Sequence, residues 1–483
     1  MVYEVKVNEL AEEFGVHRNT IRNWINSGTL PAQEGPGRRY LIQAEDYHRL
    51  CDKFGRKPKA FPAAQAINAP AQEQPTPQAP PVPIRLSLSS IHLFPDPALA
   101  DCCVTCGSCA GACPIAGVDD LDPRKIIRMA LLGLEEEILA SDWPWKCTLC
   151  GRCEESCPAN VKILELMRSI RGQRDRAKVP HPIQKGVTTC LEKGNNLGIP
   201  KDDFLQLVKG LGTELGETIC PGFTTPVDVR GARLLVTVNS KEPFVQPRQL
   251  MWWWRIFYAA QESWTLSSEN WEGVNWGFYS GDDSSMKTIV ERIVDNMERL
   301  NCQALLLPEC GHAYYATRYG LEKWFPESAR KFKIYSIFDL LLEYLTAGRI
   351  NLDPTIHNKL TTLHDSCNYG RKSLKAFGHG YFSEGRTIVQ ACCTKFREMI
   401  PNSGDSYCCG AGGGAWASPY AAERVFHGRE KARQIKASGA KLVVTSCHNC
   451  KDQIAHSLAP EFNLEIEVKS LWELVAQALV PAS

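Results

Sequence analysis

The chain contains two cysteine runs with one shared spacing, C-x-x-C-x-x-C-x-x-x-C-P, at residues 103–114 and 147–158. In such a run three neighbouring thiolates bind the irons of one [4Fe–4S] cube, and the fourth thiolate binds a second cluster. Zinc fits less well, because zinc sites usually pair two separated C-x-x-C units. We therefore predict two cubane clusters, with the ligands Cys103, Cys106, Cys109, Cys113, Cys147, Cys150, Cys153 and Cys157.

The last third of the chain holds a second cysteine set in the segments "HDSC", "YCCGAGGG" and "VVTSCHNC". Adjacent side chains on a strand point to opposite faces, so an ordinary four-ligand site rarely uses both members of a cysteine pair. The glycines that follow this pair allow the backbone to close around a bulky group. The candidate ligands are Cys367, Cys408, Cys409, Cys447 and Cys450.

This second set resembles the CCG domain of the B and D subunits of heterodisulfide reductase. The resemblance implies that the five cysteines hold one noncubane [4Fe–4S] cluster, in which a thiolate can bridge irons. A zinc-bound C-x-x-C unit beside unrelated thiols is the alternative. Apolar residues at helical spacing predict a helical insert between the two cysteine runs: Ile126, Ile127, Ala130, Leu131, Leu134 and Ile138. With this insert, residues 93–180 resemble the α-helical ferredoxin domain found in succinate dehydrogenase and in HdrC-type proteins of heterodisulfide reductase.

The segment before the second set is similar to the set itself. "CQALLLPECGHA" parallels "AKLVVTSCHNC" as an apolar strand that ends in cysteine, and a glycine loop followed by a helix precedes both. Asn275 and Trp276 stand where the cysteine pair would be, and Ala313 replaces the last cysteine. We therefore predict a duplicated domain whose first lobe lost most of its ligands. Cys310 and His312 remain at this degenerate site, either to protonate or position a sulfur substrate or as a leftover packed cleft.

The N-terminal segment "VNELAEEFGVHRNTIRNWINSGTL" predicts two helices separated by a turn at Gly15, and "GPGRRYLI" predicts a small β-wing. This unit resembles the winged helix-turn-helix of the MerR and excisionase families. The resemblance implies that six side chains face DNA: His17, Arg18, Asn19, Arg22, Arg38 and Arg39. Docking of the same unit on a protein is the alternative.

These motifs predict a multidomain α/β protein, since 483 residues are too many for one core. The predicted parts are a small winged helix-turn-helix (1–55), a Pro/Ala/Gln-rich linker (56–92), a two-cluster α-helical ferredoxin domain (93–180), a degenerate first CCG lobe (181–350) and a second CCG lobe with the noncubane cluster (351–483).

The net charge and the apolar runs of the sequence indicate where in the cell the protein is expected. A net charge of +1 gives no overall attraction to nucleic acid or anionic lipid. No apolar run reaches the roughly 18–20 residues of a membrane span, and the N-terminus lacks the apolar core of a secretory signal. We expect a cytoplasmic protein that attaches to the inner face of a membrane only through a partner subunit.

The resemblance to heterodisulfide reductase D and DsrK-like subunits implies an oxidoreductase acting on sulfur groups. Electrons would pass through the two cubanes to the noncubane cluster, which reduces or forms a disulfide or trisulfide. The substrate would be a DsrC-type sulfur-carrier protein or a small heterodisulfide, and the electron donor a membrane cytochrome b-type or flavoprotein subunit. The alternatives are an electron-transfer subunit of a glycerol-3-phosphate, lactate or glycolate dehydrogenase, and a redox-responsive DNA-binding regulator.

Four further residues and one segment complete the candidates. Cys392 and Cys393 are adjacent but lack a glycine loop, so we expect them not to bind metal. His364 and His448 flank cluster cysteines and are candidates to hydrogen-bond cluster sulfurs, with a purely structural role as the alternative. The aromatic segment "QLMWWWRIFYAA" predicts a helix packed in the core, with a docking face as the alternative.

Overall fold

The computed structural model describes residues 2–35, 39–61, 93–94, 102–308 and 310–480. The chain divides into two compact units, Met1–Arg85 and Leu86–Ser483. Most of the predicted linker, residues 62–92, and the predicted wing residue Arg38 lie outside the described residues. Within the described residues, no helix combines the length and the apolar composition that a bilayer crossing requires.

The N-terminal unit is a three-stranded antiparallel sheet with three helices. Its strands, in the order β1-β3-β2, are β1 (Val2–Lys6), β2 (Ala32–Gly35) and β3 (Arg39–Gln43). Its helices are Val7–Phe14, Arg18–Asn26 and Ala44–Lys53. Gly15 ends the first helix with a φ of 66°, which confirms the predicted turn. Four residues form the apolar face of the first helix and are buried together with Ile21 and Tyr47: Val7, Leu10, Ala11 and Phe14.

The predicted helical insert between the two cysteine runs is two helices rather than one. The first, Pro123–Leu131, begins where Asp122 accepts a hydrogen bond from the backbone N–H of Lys125 at 2.9 Å. The chain then breaks at Gly133, which has a φ of 75°. Leu134 consequently leaves the predicted apolar face and is 36% exposed. The other helices of this region are Ser108–Ala112, Glu135–Ala140, Trp143–Lys146, Arg152–Glu155 and Ile163–Gln173.

Residues 181–350 are built around a four-stranded parallel sheet in the order β5-β4-β6-β7. The strands are β4 (Leu234–Val236), β5 (Trp264–Thr265), β6 (Ala304–Leu306) and β7 (Lys333–Tyr335). The helices are His181–Lys193, Lys201–Thr218, Lys241–Val245, Arg248–Ala259, Trp276–Ser280, Asp283–Arg299, Gly311–Trp324, Pro326–Lys331 and Ile337–Thr346.

For residues 181–350, one prediction is confirmed and another differs from the structure. The aromatic segment forms the helix Arg248–Ala259, in which Trp253 and Trp254 are buried, so the prediction of core packing is confirmed. The predicted glycine loop after Val274 is instead the short helix Trp276–Ser280. This helix forms because the side chain of Asn275 accepts a hydrogen bond from the backbone N–H of Phe278 and caps its first turn.

Residues 351–480 are built around a three-stranded parallel sheet in the order β10-β9-β8. The strands are β8 (Thr361–His364), β9 (Leu442–Thr445) and β10 (Glu467–Ser470). All four residues of the central strand β9 are buried, which is typical of parallel strands covered on both faces. The α-helices are Ser373–Phe377, Ser383–Cys392, Ala421–Ser438, His448–Asp452, Ala459–Glu461 and Leu471–Ala478, and Asn368–Lys372 and Gln453–Leu458 are π-helical.

The helix Ile163–Gln173 joins the cysteine-run region to the first lobe. Its fully buried Arg171 donates hydrogen bonds to the carbonyls of Pro144, Cys147 and Tyr279. Next to it, the backbones of Gly172 and Gly281 meet directly. A Cβ atom on Gly281 would lie 2.6 Å from the nitrogen of Gly172 and would overlap the carbonyl oxygen of Arg168. This contact therefore requires glycine.

We expect Gly281→Ala to destabilise the protein far more than Gly222→Ala. Both glycines have positive φ, but a Cβ on Gly222 meets no atom within 4 Å. The control should cost about 1 kcal/mol for its left-handed backbone alone. Overpacking raises the cost of Gly281→Ala to about 3 kcal/mol. Urea unfolding followed by circular dichroism measures both free energies, and equal costs would contradict the close contact.

Candidate metal centres

The eight cysteines of the two runs form two groups of four. The distal thiol group, Cys103, Cys106, Cys109 and Cys157, lines one cavity. The proximal thiol group, Cys113, Cys147, Cys150 and Cys153, lines another. The fourth cysteine of each run therefore lies with the first three of the other run. Cys102 is exposed and is not among the residues that line the distal cavity.

The two groups differ in their exposure to solvent. In the distal thiol group Cys106 is exposed, and the neighbouring Val104 is 73% exposed. In the proximal thiol group Cys150 is buried, and burial raises the pKa of Cys113 and Cys153 well above the usual value of a thiol. The distal group thus has one thiol exposed to solvent, whereas the four thiols of the proximal group are half-buried or buried.

The five cysteines of the second set form one buried group, which we call the CCG thiol group. Strand β8 ends three residues before Cys367, and strand β9 ends two residues before Cys447. Because the carboxyl ends of parallel strands meet at one edge of the sheet, both thiols reach the same place. The Sγ atoms of Cys409 and Cys450 lie 3.2 Å apart. All five members are buried: Cys367, Cys408, Cys409, Cys447 and Cys450.

Hydrogen bonds among these thiols shift their pKa values in opposite directions. Bonds from Cys408 and Cys450 hold the pKa of Cys409 well below its usual value. Bonds to Cys150, Cys367 and Cys409 hold the pKa of Cys408 well above its own. Such alternation arises because neighbouring buried sulfurs cannot all carry a negative charge unless cations compensate it.

The glycine loop allows the backbone to pass close to these sulfurs. Gly410 has a φ of 97°, and a Cβ there would overlap the carbonyl oxygen of Arg424. A Cβ on Gly412 would lie 3.8 Å from Sγ of Cys367. The backbone N–H of Gly410 donates to Sγ of Cys408 at 3.3 Å. The loop thus encloses the thiols with main chain rather than side chains.

One contact connects the proximal thiol group to the CCG thiol group. The ligand atoms of Cys150, Cys408 and His427 all lie within 4.8 Å of one another. Thr148 Oγ1 lies 3.5 Å from His427 Nε2. The sequence does not predict this role for His427 or Thr148, because His427 belongs to no recognisable motif and Thr148 is a variable position of the second cysteine run, 279 positions away in the numbering.

The surroundings of the CCG thiol group fit a negatively charged iron–sulfur centre. Lys431 is 1% exposed, and its ammonium contacts Sδ of Met399 at 3.5 Å. Within the described residues, no carboxylate lies within 4 Å of this ammonium. Burial lowers the pKa of Lys431 to about 8. A buried cation needs compensating anions, and Asp365 together with the thiolates of Cys408 and Cys409 would supply them.

The structure places the two residues predicted at the degenerate site, Cys310 and His312, in different surroundings. Hydrogen bonds from Cys310 and Cys450 lower the pKa of Cys447. Cys310 therefore lies against the CCG thiol group. His312 is buried, and its Nε2 donates to the carbonyl of Asn275 at 2.7 Å. Burial lowers the pKa of His312 to about 4, so its ring is neutral near pH 7.

The flanking histidines take different positions. The ligand atoms of His364, Cys409 and Cys450 lie within 4.8 Å of one another, so His364 reaches the CCG thiol group. His448 instead faces the carboxylates of Glu242 and Asp452, at 3.8 and 3.5 Å. Cys392 and Cys393 are buried in the hydrophobic core beside helix Leu471–Ala478.

The N-terminal unit presents its candidate contact residues to solvent. His17, Arg18, Asn19 and Arg22 are exposed at the start of helix Arg18–Asn26. His17 also caps this helix by accepting a hydrogen bond from the backbone N–H of Asn19 at 3.3 Å. Arg39 lies in β3 and pairs with Glu4 at 3.3 Å. DNA binding by residues 1–55 stays a prediction.

Three family models match the chain. A 4Fe-4S dicluster domain model matches residues 99–161, and a cysteine-rich domain model matches residues 361–455. A helix-turn-helix domain model matches residues 5–46. The first two models cover all three thiol groups, and the third covers the first two helices of the N-terminal unit.

Relatives extend this match along the chain. The Hdr-like menaquinol oxidoreductase iron-sulfur subunit 2 of Archaeoglobus fulgidus is 24% identical over 453 residues, which cover 79% of this chain and 80% of the relative. The C-type subunit of the H2:CoB–CoM heterodisulfide, ferredoxin reductase of Methanothermobacter marburgensis is 36% identical over 116 residues, which cover 24% of this chain and 61% of the relative. The chain is therefore similar to iron–sulfur subunits of heterodisulfide reductase-like proteins.

A further relative shows the same similarity. The Hdr-like menaquinol oxidoreductase iron-sulfur subunit of Archaeoglobus profundus is 22% identical over 451 residues, which cover 79% of each chain. The matches thus support an Hdr-like iron–sulfur electron-transfer subunit, and the helix-turn-helix predicted from the sequence is also matched.

One arginine fixes the proximal thiol group against the CCG thiol group. Arg371 is fully buried and donates from Nε to the carbonyl of Cys150 at 2.9 Å. Its two terminal nitrogens donate to the carbonyls of Gly404 and Ser406, just before the Cys408–Cys409 pair. The planar guanidinium therefore holds both thiol-bearing loops at once.

We expect Arg371→Lys to lower the free energy of unfolding by about 3 kcal/mol, because an ammonium cannot serve all three buried carbonyls. The exposed Arg433, which pairs with Glu430 on the same helix, provides the control Arg433→Lys, and this change should have little effect. Anaerobic urea unfolding measures both variants. Equal free energies would show that Arg371 does not join the two loops.

Proposed function

We propose that this chain is the electron-transfer and catalytic subunit of a heterodisulfide reductase-like complex. Its distal and proximal thiol groups would each hold a cubane [4Fe–4S] cluster, and its CCG thiol group would hold one noncubane [4Fe–4S] cluster. The substrate would be a disulfide or trisulfide, on a DsrC-type carrier protein or in a small heterodisulfide. The contact of Cys150 with Cys408 and His427 carries this proposal, because it makes the three thiol groups one continuous row.

The positions of the three thiol groups suggest the order in which electrons would pass along the row. The distal thiol group, with exposed Cys106 and Val104, is the place where an electron-donating partner can approach. The proximal thiol group lies behind it, and Cys150 contacts the CCG thiol group. When bound, the iron–sulfur centres supply one-electron transfers, two of which together cleave or form an S–S bond.

The residues around the CCG thiol group would favour sulfur chemistry at this site. Lys431 and Arg371 place buried positive charge beside the thiols, which favours their thiolate forms. The loop at Gly410 brings main chain rather than side chains against the sulfurs. Cys310 and His312 would position a substrate sulfur beside Cys447. A neutral His312 ring orients a substrate through hydrogen bonding without adding charge.

The two lobes support an origin by duplication. Cys310 caps helix Gly311–Trp324 after β6, as Cys447 precedes helix His448–Asp452 after β9. At the place of the missing cysteine pair, Asn275 caps a helix and accepts a hydrogen bond from His312. We therefore propose one noncubane cluster rather than two.

No described helix could cross a membrane, so we propose that separate subunits carry any membrane step. We propose a membrane cytochrome b-type subunit or a flavoprotein as the electron donor, with this chain in the cytoplasm on the inner face of the membrane. Two relatives are named as subunits of menaquinol oxidoreductases, which supports a membrane partner for those proteins and, by similarity, for this one.

We expect Cys409→Ala to remove the third cluster alone. The iron content of anaerobically purified protein should fall from roughly twelve to roughly eight atoms per chain, because each [4Fe–4S] cluster carries four irons. The EPR signals of the reduced cubanes should remain, while the signal of the thiol-oxidised protein disappears.

The control variant is Cys392→Ala, which removes one thiol of the other adjacent buried pair. It should keep the iron content and all EPR signals of the wild type. Unchanged iron in Cys409→Ala, or the same loss of iron in both variants, would contradict the proposed role of the CCG thiol group.

A further inference from the structure

A cavity of about 400 Å³ lies between the proximal loop, the first lobe and the helix Ser373–Phe377. No cysteine is among the described residues that line it, so it is separate from the two cavities of the distal and proximal thiol groups. Its volume is within the range of small-molecule sites. None of the thiol groups accounts for this cavity.

The lining of this cavity carries an excess of positive charge. Six lysines and arginines line it against three glutamates. Three of the cations, Arg168, Arg371 and Lys372, are buried, and Arg371 is held by backbone carbonyls as described above. The other two lie over the ring of Phe278, with Arg168 Cζ at 4.3 Å and Lys372 Nζ at 5.0 Å from its centroid. Two like charges are therefore held on one aromatic ring.

The protein leaves this pair of cations incompletely neutralised. Arg168 pairs with Asp283 at 2.6 Å, but that carboxylate is half exposed and also pairs with Lys323 at 2.7 Å. Lys372 Nζ donates to the amide oxygen of Asn368 at 2.6 Å. No carboxylate of the described residues lies within 4 Å of Lys372 Nζ. A bound anion would relieve the repulsion between the two cations.

The remaining wall is apolar and aromatic. Lys372 Nζ lies 4.1 Å from the centroid of Tyr315, and Phe377 closes the wall beside it. A ligand that fits both features has a negatively charged group and a flat apolar body. We propose that this cavity binds a small organic anion, an aryl carboxylate or a close analogue, with its charge on Lys372 and Arg168 and its ring against Tyr315 and Phe377.

The position of the cavity gives this binding a consequence for the neighbouring thiols. Lys372 reaches Asn368, which follows Cys367 directly, and Gly151 of the proximal loop forms part of the lining. An anion in the cavity therefore adds negative charge beside two thiol groups. Binding itself does not depend on the sulfur chemistry proposed above.

Isothermal titration of the cluster-loaded full chain with benzoate tests the proposal. We expect one benzoate per chain and binding at least roughly tenfold weaker for uncharged benzyl alcohol, because the charged hydrogen bonds are lost. Lys372→Met should weaken benzoate binding by a similar factor. The matched control Lys201→Met removes an exposed lysine that pairs with Glu269 elsewhere, and it should bind as the wild type does.

A second variant covers the case in which Lys372→Met fails to fold. Ala376 is an exposed lining residue on the helix Ser373–Phe377, so Ala376→Trp fills the cavity from its open side without touching the core. This variant should keep the thermal midpoint and iron content of the wild type and lose benzoate binding. Absence of benzoate binding in the wild type, or full binding by Ala376→Trp, would overturn the proposal.

Discussion

The structure depends on bringing buried sulfur atoms from distant parts of the chain into contact. Cys150 and Cys408 are 258 positions apart in the numbering, yet both contact His427. Such contact is unfavourable for thiols alone, because buried thiolates repel one another and buried thiols gain little from packing together. The protein offsets this unfavourable contact with buried cations, among them arginines that are bound to backbone carbonyls. The arrangement becomes favourable when the thiolates bind metal, since binding free energy is then also folding free energy.

Two buried arginines provide the fixed geometry. Arg171 holds the proximal loop through the carbonyl of Cys147, and Arg371 holds it through the carbonyl of Cys150. Because Arg171 also bonds the carbonyl of Tyr279 and Arg371 that of Ser406, the proximal thiol group cannot move without breaking buried hydrogen bonds. Rigid placement of this kind suits electron transfer, in which distance matters more than motion.

The sequence predicts the ligands far better than their arrangement. The spacing of neighbouring cysteines identifies the two runs, and adjacent cysteines followed by glycines identify the second set. Both signals can be read because the residues concerned lie within a few positions of one another in the sequence. The contacts of Cys150, Arg371 and His427 depend on tertiary packing, to which no local pattern corresponds. The same holds for Cys310, whose position beside Cys447 depends on how the two sheets pack. The break at Gly133 shows that one glycine can override apolar periodicity.

The central claim is that three iron–sulfur centres form one row from the distal thiol group to the CCG thiol group. Diffraction data from crystals of anaerobically purified protein, collected on both sides of the iron absorption edge, test it most directly. The account predicts anomalous iron density at all three thiol groups, with the density at Cys147, Cys150 and Cys153 lying between the other two. Iron confined to the two ferredoxin groups, or a third iron site away from Cys408 and Cys409, would contradict it.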